Sequence, residues 1–232
     1  LDNGYLTEVR TAAAGAIAAK YLSRENIETV GVIGAGSQAR FQVRALKLVR
    51  DFKKLLVFAR STDRAKKYAE DMAAEIGIEV QVMDNAEQVV RNSDLIITTT
   101  PSKEPIIKAE WLHPGLHITA MGSDAEHKQE LEAEVLARAD KLVCDTKAQC
   151  SRLGELHHAL DSGVLIKESS IIELGQLTLK ELRGRENDGE ITVCDLTGTG
   201  VQDTAIALFA YNEMAKRNLG IKVENKTLSL KN

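Results

Sequence analysis

Two groups of residues in this chain have types and spacing that suit chemistry. Gly34-Ala35-Gly36-Ser37-Gln38-Ala39 matches the GxGxxG/A pattern where a β-branched apolar run meets an amphipathic stretch. In that context Gly34 permits a tight turn, and Gly36 lets the backbone approach a pyrophosphate. The N–H groups of a helix opening at Ser37 and Gln38 stabilise the phosphate charge, while Ala39 keeps that helix close to a sheet. A glycine turn with no ligand is the plainer alternative. The second group lies in LHITAMGSDAEHKQELEAEV, residues 116 to 135, where an apolar run ends in Gly122-Ser123-Asp124 and a charged stretch follows. Asp124 is either the cap of a charged helix or a carboxylate delivered to a strand end, where it can relay a proton or stabilise a developing positive charge.

Both groups need a scaffold, and hydrophobic periodicity predicts one. TVGVIGAG, KLLVFAR, EVQVM, DLIITTT, LHITAMG and KLVCDT read as six strands. QARFQVRALKLVRDF, TDRAKKYAEDMAAEIG, NAEQVVRNS and HKQELEAEVLARA read as the helices between them, the last filling the charged stretch after Asp124. This alternation predicts an α/β fold, a doubly wound parallel sheet of Rossmann type. Ligands of such sheets lie outside the carboxyl ends of the strands, so Asp124 at the end of the fifth strand shares a crevice with the glycine turn. Thr99 and Thr100 end the fourth strand before the break at Pro101. They either meet a ribose or nicotinamide or pack as ordinary β-branched residues. Pro101, Met121 and Gly122 stand at the same strand ends and complete the candidate cofactor-binding set there.

The end of the second strand bears on cofactor choice. NAD-binding folds usually place an acid about twenty residues beyond the glycines to hold the ribose hydroxyls, yet this chain reads VFARSTDR there. Arg60, Ser61 and Arg64 instead suit a 2′-phosphate, because a guanidinium offers paired donors to phosphate oxygens. The expectation is NADP(H) in preference to NAD(H), with NAD(H) as the other option. The alternative is a solvated arginine beside a Ser or Thr helix cap, with Asp63 favouring the first turn.

The remaining composition narrows the class. The chain has 232 residues, 44% of them hydrophobic, which is enough for a real core. A net charge of −4 leaves no basic footprint for nucleic acid, and no apolar run approaches membrane-spanning length. Cys144, Cys150 and Cys194 are odd in number and lack CxxC spacing, which fits a reducing cytoplasm better than a disulfide framework or zinc. His113 and His117 straddle Pro114-Gly115, which breaks a helical metal-ligand register, so no metal is expected. The small-molecule partner class remains.

RTAAAGAIAA, GVIGAGSQARFQ, TTTPSKEPI, GSDAEHKQEL and DLTGTGVQDTAIA together resemble the ornithine cyclodeaminase/mu-crystallin family across nearly the whole chain. DTKAQCSRLGELHHAL and DLTGTGVQD resemble the cyclodeaminase-like branch of ectoine utilisation. The resemblance implies that Arg10 and Thr11 lie where cofactor pyrophosphate and substrate carboxylate meet, that Asp124 is the catalytic aspartate, and that Lys128 is the lysine four positions on. By helical spacing Lys128 is equally a surface residue on the face of Asp124. Where the family usually has Ser-x-Gly this chain has Leu196-Thr197-Gly198, so Leu196 takes the serine's place, and Thr197, next to Gly198, is the substitute that the chain offers for that contact to the nicotinamide.

The resemblance further implies hydride transfer at the C–N bond of a small amino or imino acid, of the imino acid reductase type. The alternatives are a deaminating cyclisation that uses bound NAD+, and a cofactor binder without turnover. Family members are longer at the front. Residues 1–24 and 204–232 are therefore expected to belong to an incomplete substrate and dimerisation domain, around a dinucleotide-binding domain at 25–203. The complete protein is expected to be a homodimer or higher homo-oligomer, and this length of chain to bind cofactor with little turnover of its own. The apolar face of TAIALFAYNEMAKRNLG, including Leu208, Phe209 and Met214, needs a partner surface.

Overall fold

All six apolar runs form strands in the computed structural model, which describes residues 3–165 and 171–221. They are β1 (Thr29–Ile33), β2 (Lys54–Phe58), β3 (Glu79–Val82), β4 (Leu95–Thr98), β5 (His117–Ala120) and β6 (Lys141–Cys144). The periodicity missed two more, β7 (Ile172–Glu173) and β8 (Thr192–Asp195). β7 has two residues, too few to show alternation. β8 reads TVCD and is buried throughout, so it carries neither alternation nor a long apolar run. The eight strands are parallel and lie in the order β3-β2-β1-β4-β5-β8-β6-β7. The order reverses between β1 and β4, and such a switch point opens a crevice at the carboxyl ends.

Helices cover both faces: α1 (Asn3–Leu22), α2 (Ser37–Leu46), α3 (Thr62–Ile76), α4 (Ala86–Arg91), α5 (Ala133–Ala137), α6 (Lys147–Cys150), α7 (Gly154–Asp161), α8 (Leu174–Thr178) and α9 (Gly200–Lys216). One core joins Val32, Leu55 and Val57 to Val43 of α2 and to Tyr68 and Met72 of α3. The opposite core joins Ile96, Ile118 and Val193 to Val89 of α4, Val135 of α5 and Leu156 of α7. The alanines of α1 let it lie close to the sheet, where Ala18 shares a cluster with Met121, Cys194 and Leu196. At Gly15 a Cβ would stand 2.0 Å from Oε1 of Gln42, so that glycine leaves room for the Gln42 amide between α1 and α2. α9 buries no residue, and Leu208, Phe209 and Tyr211 are exposed.

The charged stretch after Asp124 is not the helix that its composition predicts. Helical structure there is confined to α5, and residues 124–132 run as turns and extended chain. From Gln129 to Glu132 the backbone N–H groups bond outward. The Glu155 carboxylate accepts the N–H groups of Glu130 and Leu131 at 2.8 and 3.0 Å. The Glu130 carbonyl accepts those of Ile106 and Ile107. Tertiary partners thus outbid the helical i−4 carbonyls, against propensity. Because no helix begins after Asp124, the capping alternative for that residue falls away.

Candidate cofactor and substrate site

The glycine turn has the shape its spacing implies. Gly34 takes φ +113°, and a Cβ there would stand 2.6 Å from Oγ1 of Thr99, so both the backbone angle and the close approach of β4 require glycine. Gly36 is the N-cap of α2 and supplies no side-chain bond to its first turn. α3 and α4, by contrast, are capped through Ser61, which accepts from Arg64 N–H at 3.4 Å, and Asn85, which accepts from Gln88 N–H at 2.9 Å. A Cβ on Gly36 would meet nothing within 4 Å. An uncapped ten-residue helix that opens on free space offers its N–H groups to an anion. Ala39 is buried beneath the turn.

Beside this turn lies an open crevice of about 520 Å³, in the size range of small-molecule sites. Its walls bring together Arg10, Thr11 and Gln38, the strand-end residues Thr99, Thr100, Pro101, Met121 and Gly122, then Asp124 and Lys128, and finally Thr197 and Gly198. Most of the candidate residues thus meet in one place. Arg60, Ser61 and Arg64 do not line it. They stand exposed at the end of β2 and the start of α3, and Ser61 also serves as the helix cap.

Each wall has its own support. Arg10 donates from Nε to Oδ1 of Asp203 at 2.9 Å and from Nη1 to Gln202 at 3.2 Å, which ties α1 to α9. Thr11 lends its carbonyl to Nε2 of Gln42 at 3.1 Å. Gln38 donates to Glu8 at 2.6 Å, so an acid that spacing did not single out also lines the crevice. Asp124 projects from the lip with its side chain 56% exposed, and Nζ of Lys128 donates to its Oδ1 at 2.5 Å. The pair sits i, i+4 on a turn rather than on a helix face. Thr197 turns its hydroxyl hydrogen to Oδ1 of Asp145 at 3.2 Å, and Gly198 N–H donates to Oδ2 of the same carboxylate at 2.7 Å.

Behind the crevice lie carboxylates that motif reading missed: Glu130, Asp145, Glu155 and Asp195 are all buried. Burial raises Glu130 and Glu155 above the usual carboxylate range and pushes Asp195 up to about 7. Oδ1 of Asp195 has no hydrogen-bond partner among the described residues, which suits a neutral carboxyl. The sequence sign of Asp145 and Asp195 is an acid at the end of an apolar run, KLVCD and ITVCD, whereas Glu130 stands in a charged stretch that gives no such sign. Hydrogen bonding to Cys144 and burial hold the Cys150 thiol high, and burial does the same for Cys194, so neither is an activated nucleophile. Among the described residues no cluster of His, Cys, Asp or Glu could hold a metal ion.

A parallel sheet with a glycine turn, an uncapped helix and an adjoining polar crevice defines a dinucleotide-binding protein of the Rossmann class. The chain belongs to the ornithine cyclodeaminase/mu-crystallin family, whose model matches residues 1–218. It is 46% identical over 225 residues to an uncharacterised cyclodeaminase of Sinorhizobium fredii, covering 97% of this chain and 68% of that one. The structure of Thermococcus litoralis Delta(1)-pyrroline-2-carboxylate reductase in complex with NADH and L-proline superimposes with a TM-score of 0.90 at 34% identity, over 94% of this chain and 68% of that one. An archaeal alanine dehydrogenase dimer with bound NAD gives a TM-score of 0.89 at 40% identity, over 95% and 68% of the two chains.

Proposed function

We propose that this chain is a nicotinamide-dependent oxidoreductase acting on the C–N bond of a small amino or imino acid, of the ketimine or cyclic imino acid reductase type. The observation that carries the reading is Asp124, a carboxylate on the lip of the crevice that also adjoins the uncapped start of α2. A nicotinamide bound there supplies hydride transfer to or from the carbon that bears nitrogen. Asp124 stabilises positive charge at that nitrogen and relays its proton. Lys128 pairs with Asp124 and orients it. Arg10 and Thr11 take the junction between cofactor pyrophosphate and substrate carboxylate. The backbone of Gly34, Gly36, Ser37 and Gln38 receives the phosphates.

The finer reading is NADPH over NADH. Its support is the end of β2, where Arg60 stands exposed beside Ser61 and Arg64 and the strand brings no acid to its tip. The exposed Leu208, Phe209 and Tyr211 of α9 support a homo-oligomer in which α9 and the front of α1 belong to a substrate and dimerisation unit, as does the dimeric state of the archaeal alanine dehydrogenase. The second reading, deaminating cyclisation with no net change of cofactor, is favoured by the similarity to the Sinorhizobium cyclodeaminase.

Steady-state assays with cyclic imino acids and either reduced cofactor test these readings together. The expected outcome is stoichiometric loss of reduced cofactor, with NADPH the tighter and Arg60→Ala losing about tenfold in NADPH affinity, the scale of one charge-assisted contact. Release of ammonia from a diamino acid without net cofactor change would establish the cyclodeaminase reading instead. Cofactor binding without any turnover by the full-length protein would mark a binder.

A further inference from the structure

We propose that Glu130 is the positioning residue of this site: its buried carboxylate ties the ends of β4 and β5 into one wall and sets where Asp124 stands against Thr100. The Asp124 part of this rests on the function proposed above. Glu130 is 0% exposed. Its Oε1 accepts the Thr100 N–H at 2.6 Å, and its Oε2 accepts the Gly122 N–H at 2.9 Å and the Thr98 hydroxyl at 2.6 Å. Three donors from two neighbouring strand ends thus converge on one carboxylate, and no Lys, Arg or His among the described residues pairs with it.

The geometry makes this a clamp on the site and not only a stitch in the core. The bond from Gly122 N–H to Glu130 closes the loop between those residues upon itself, and that loop carries Asp124 and Lys128. Asp124 is exposed and bonded to a residue of the same loop, so its position relative to the cofactor must come from how the loop is anchored. A Cβ on Gly122 would stand 2.3 Å from both Oε2 of Glu130 and the Thr100 carbonyl, which shows how closely the clamp draws the two strand ends together. Glu130 is itself held from behind, because Glu155 at the start of α7 accepts its N–H and that of Leu131.

The chemistry of the side chain is equally constrained. Each oxygen faces a backbone N–H that can only donate. An amide in place of the carboxylate must turn its NH₂ toward Thr100 or Gly122, whichever way round it sits, and one strand end must move. A shift of about 1 Å at a reacting group costs up to about 100-fold.

Glu130→Gln, Thr98→Val, Thr98→Ser and Asp124→Asn are compared for folding, for the dissociation constant of reduced cofactor by its fluorescence, and for kcat and KM. The expected result for Glu130→Gln is a folded protein with a cofactor dissociation constant raised about tenfold and a lower kcat, on the scale of a misplaced wall. Thr98→Val should move both in the same direction by less, and Thr98→Ser should restore them. A Glu130→Gln protein that melts earlier but keeps wild-type cofactor affinity and kcat would overturn the proposal. Should Glu130→Gln not fold, unchanged constants in Thr98→Val would do the same. If Asp124→Asn keeps its turnover while Glu130→Gln loosens the cofactor, the clamp on Thr100 stands and the role given to Asp124 falls.

Discussion

The two ends of the sheet are both rich in charge, yet they use it in opposite ways. At the amino ends Arg185 donates to the carbonyls of Leu22 (2.7 Å), Glu190 (2.6 Å) and Leu116 (3.2 Å) and to the Thr192 hydroxyl (3.1 Å). Arg50 likewise donates to the carbonyls of Lys20, Arg24 and Val49 and to the Ser23 hydroxyl. These donors satisfy the last turn of α1, whose carbonyls lack helical partners. At the carboxyl ends the first turn of α2 is left uncapped, and Asp124 reaches into solvent with Lys128 beside it. A hollow is present at both ends. The difference teaches that charge density does not mark a site; polar groups that converge on space without being used up by the backbone do.

The sharpest way to break that contrast is at Asp124. Asp124→Asn is expected to keep the fold and the cofactor affinity and to lose turnover by roughly 100-fold or more, the scale of a positioned acid–base group. With no helix after it to cap, any loss in that variant reports on chemistry and not on a helix end. Steady-state kinetics beside a cofactor titration checks it. Retained turnover would put Asp124 with the spent charges of the other end.

The same contrast explains what could be read in advance. The glycine turn, β1, β2, β4 and β5 were legible because apolar periodicity and backbone geometry are local properties, and Gly34 at φ +113° is where the pattern placed a tight turn. Thr99, Thr100, Pro101, Met121 and Gly122 are legible because motifs mark strand ends, whereas Arg10, Thr11, Lys128 and Thr197 are named only by the family resemblance and Glu8 by neither. The stretch after Asp124 was misread as helix because its partners, Glu155 and Ile107, lie far along the chain. β8 escaped because four buried residues including a threonine, a cysteine and an aspartate do not look like a strand. Glu130 stands among other charged residues and Asp145 at the end of an apolar run, and nothing local says that either carboxylate will be buried.

Arg185 gives the converse test. Arg185→Ala removes donors from carbonyls at the starts of β5 and β8 and at the end of α1, so a loss of stability of about 1–3 kcal/mol is expected, the scale of leaving buried acceptors unpaired. Arg185→Lys should recover only part, because an ammonium presents its donors from one point and cannot span the fork. Denaturant unfolding measures the loss. Cofactor affinity and kcat of the folded protein should stay at wild-type values, and a change in either would show that the two ends are coupled.

A further expected effect is a pH dependence of opposite sign at the two ends. Asp195, at the carboxyl end, is pushed up to about 7, first by burial, with the charges of Asp145 and Glu130 adding and the Leu156 N–H opposing. Its unfolded value is that of an ordinary aspartate, near 4. Between about pH 4 and 7 the native state therefore holds the extra proton, so this group's stabilisation is complete below that window and is lost as pH rises through it. His117, at the amino end, is pushed down to about 3, first by burial and then by the Arg185 charge. The Thr192 hydroxyl is spent on the Leu22 carbonyl at 2.8 Å, so Nδ1 donates to Thr192 and Nε2 accepts from Thr119, a neutral ring. Here the unfolded state holds the extra proton between about pH 3 and 6.5, so stabilisation is present above that window and is lost as pH falls through it. Measured as differences from wild type, which cancel the other buried carboxylates, Asp195→Asn should gain relative stability as pH rises from 4.5 to 7, and His117→Gln should lose it. Each slope is bounded by one proton, about 1.4 kcal/mol per pH unit. Urea unfolding at closely spaced pH values reads both. If the Asp195→Asn curve runs parallel to wild type, the carboxyl is already ionised in the native protein, and its unpartnered Oδ1 is a buried charge after all.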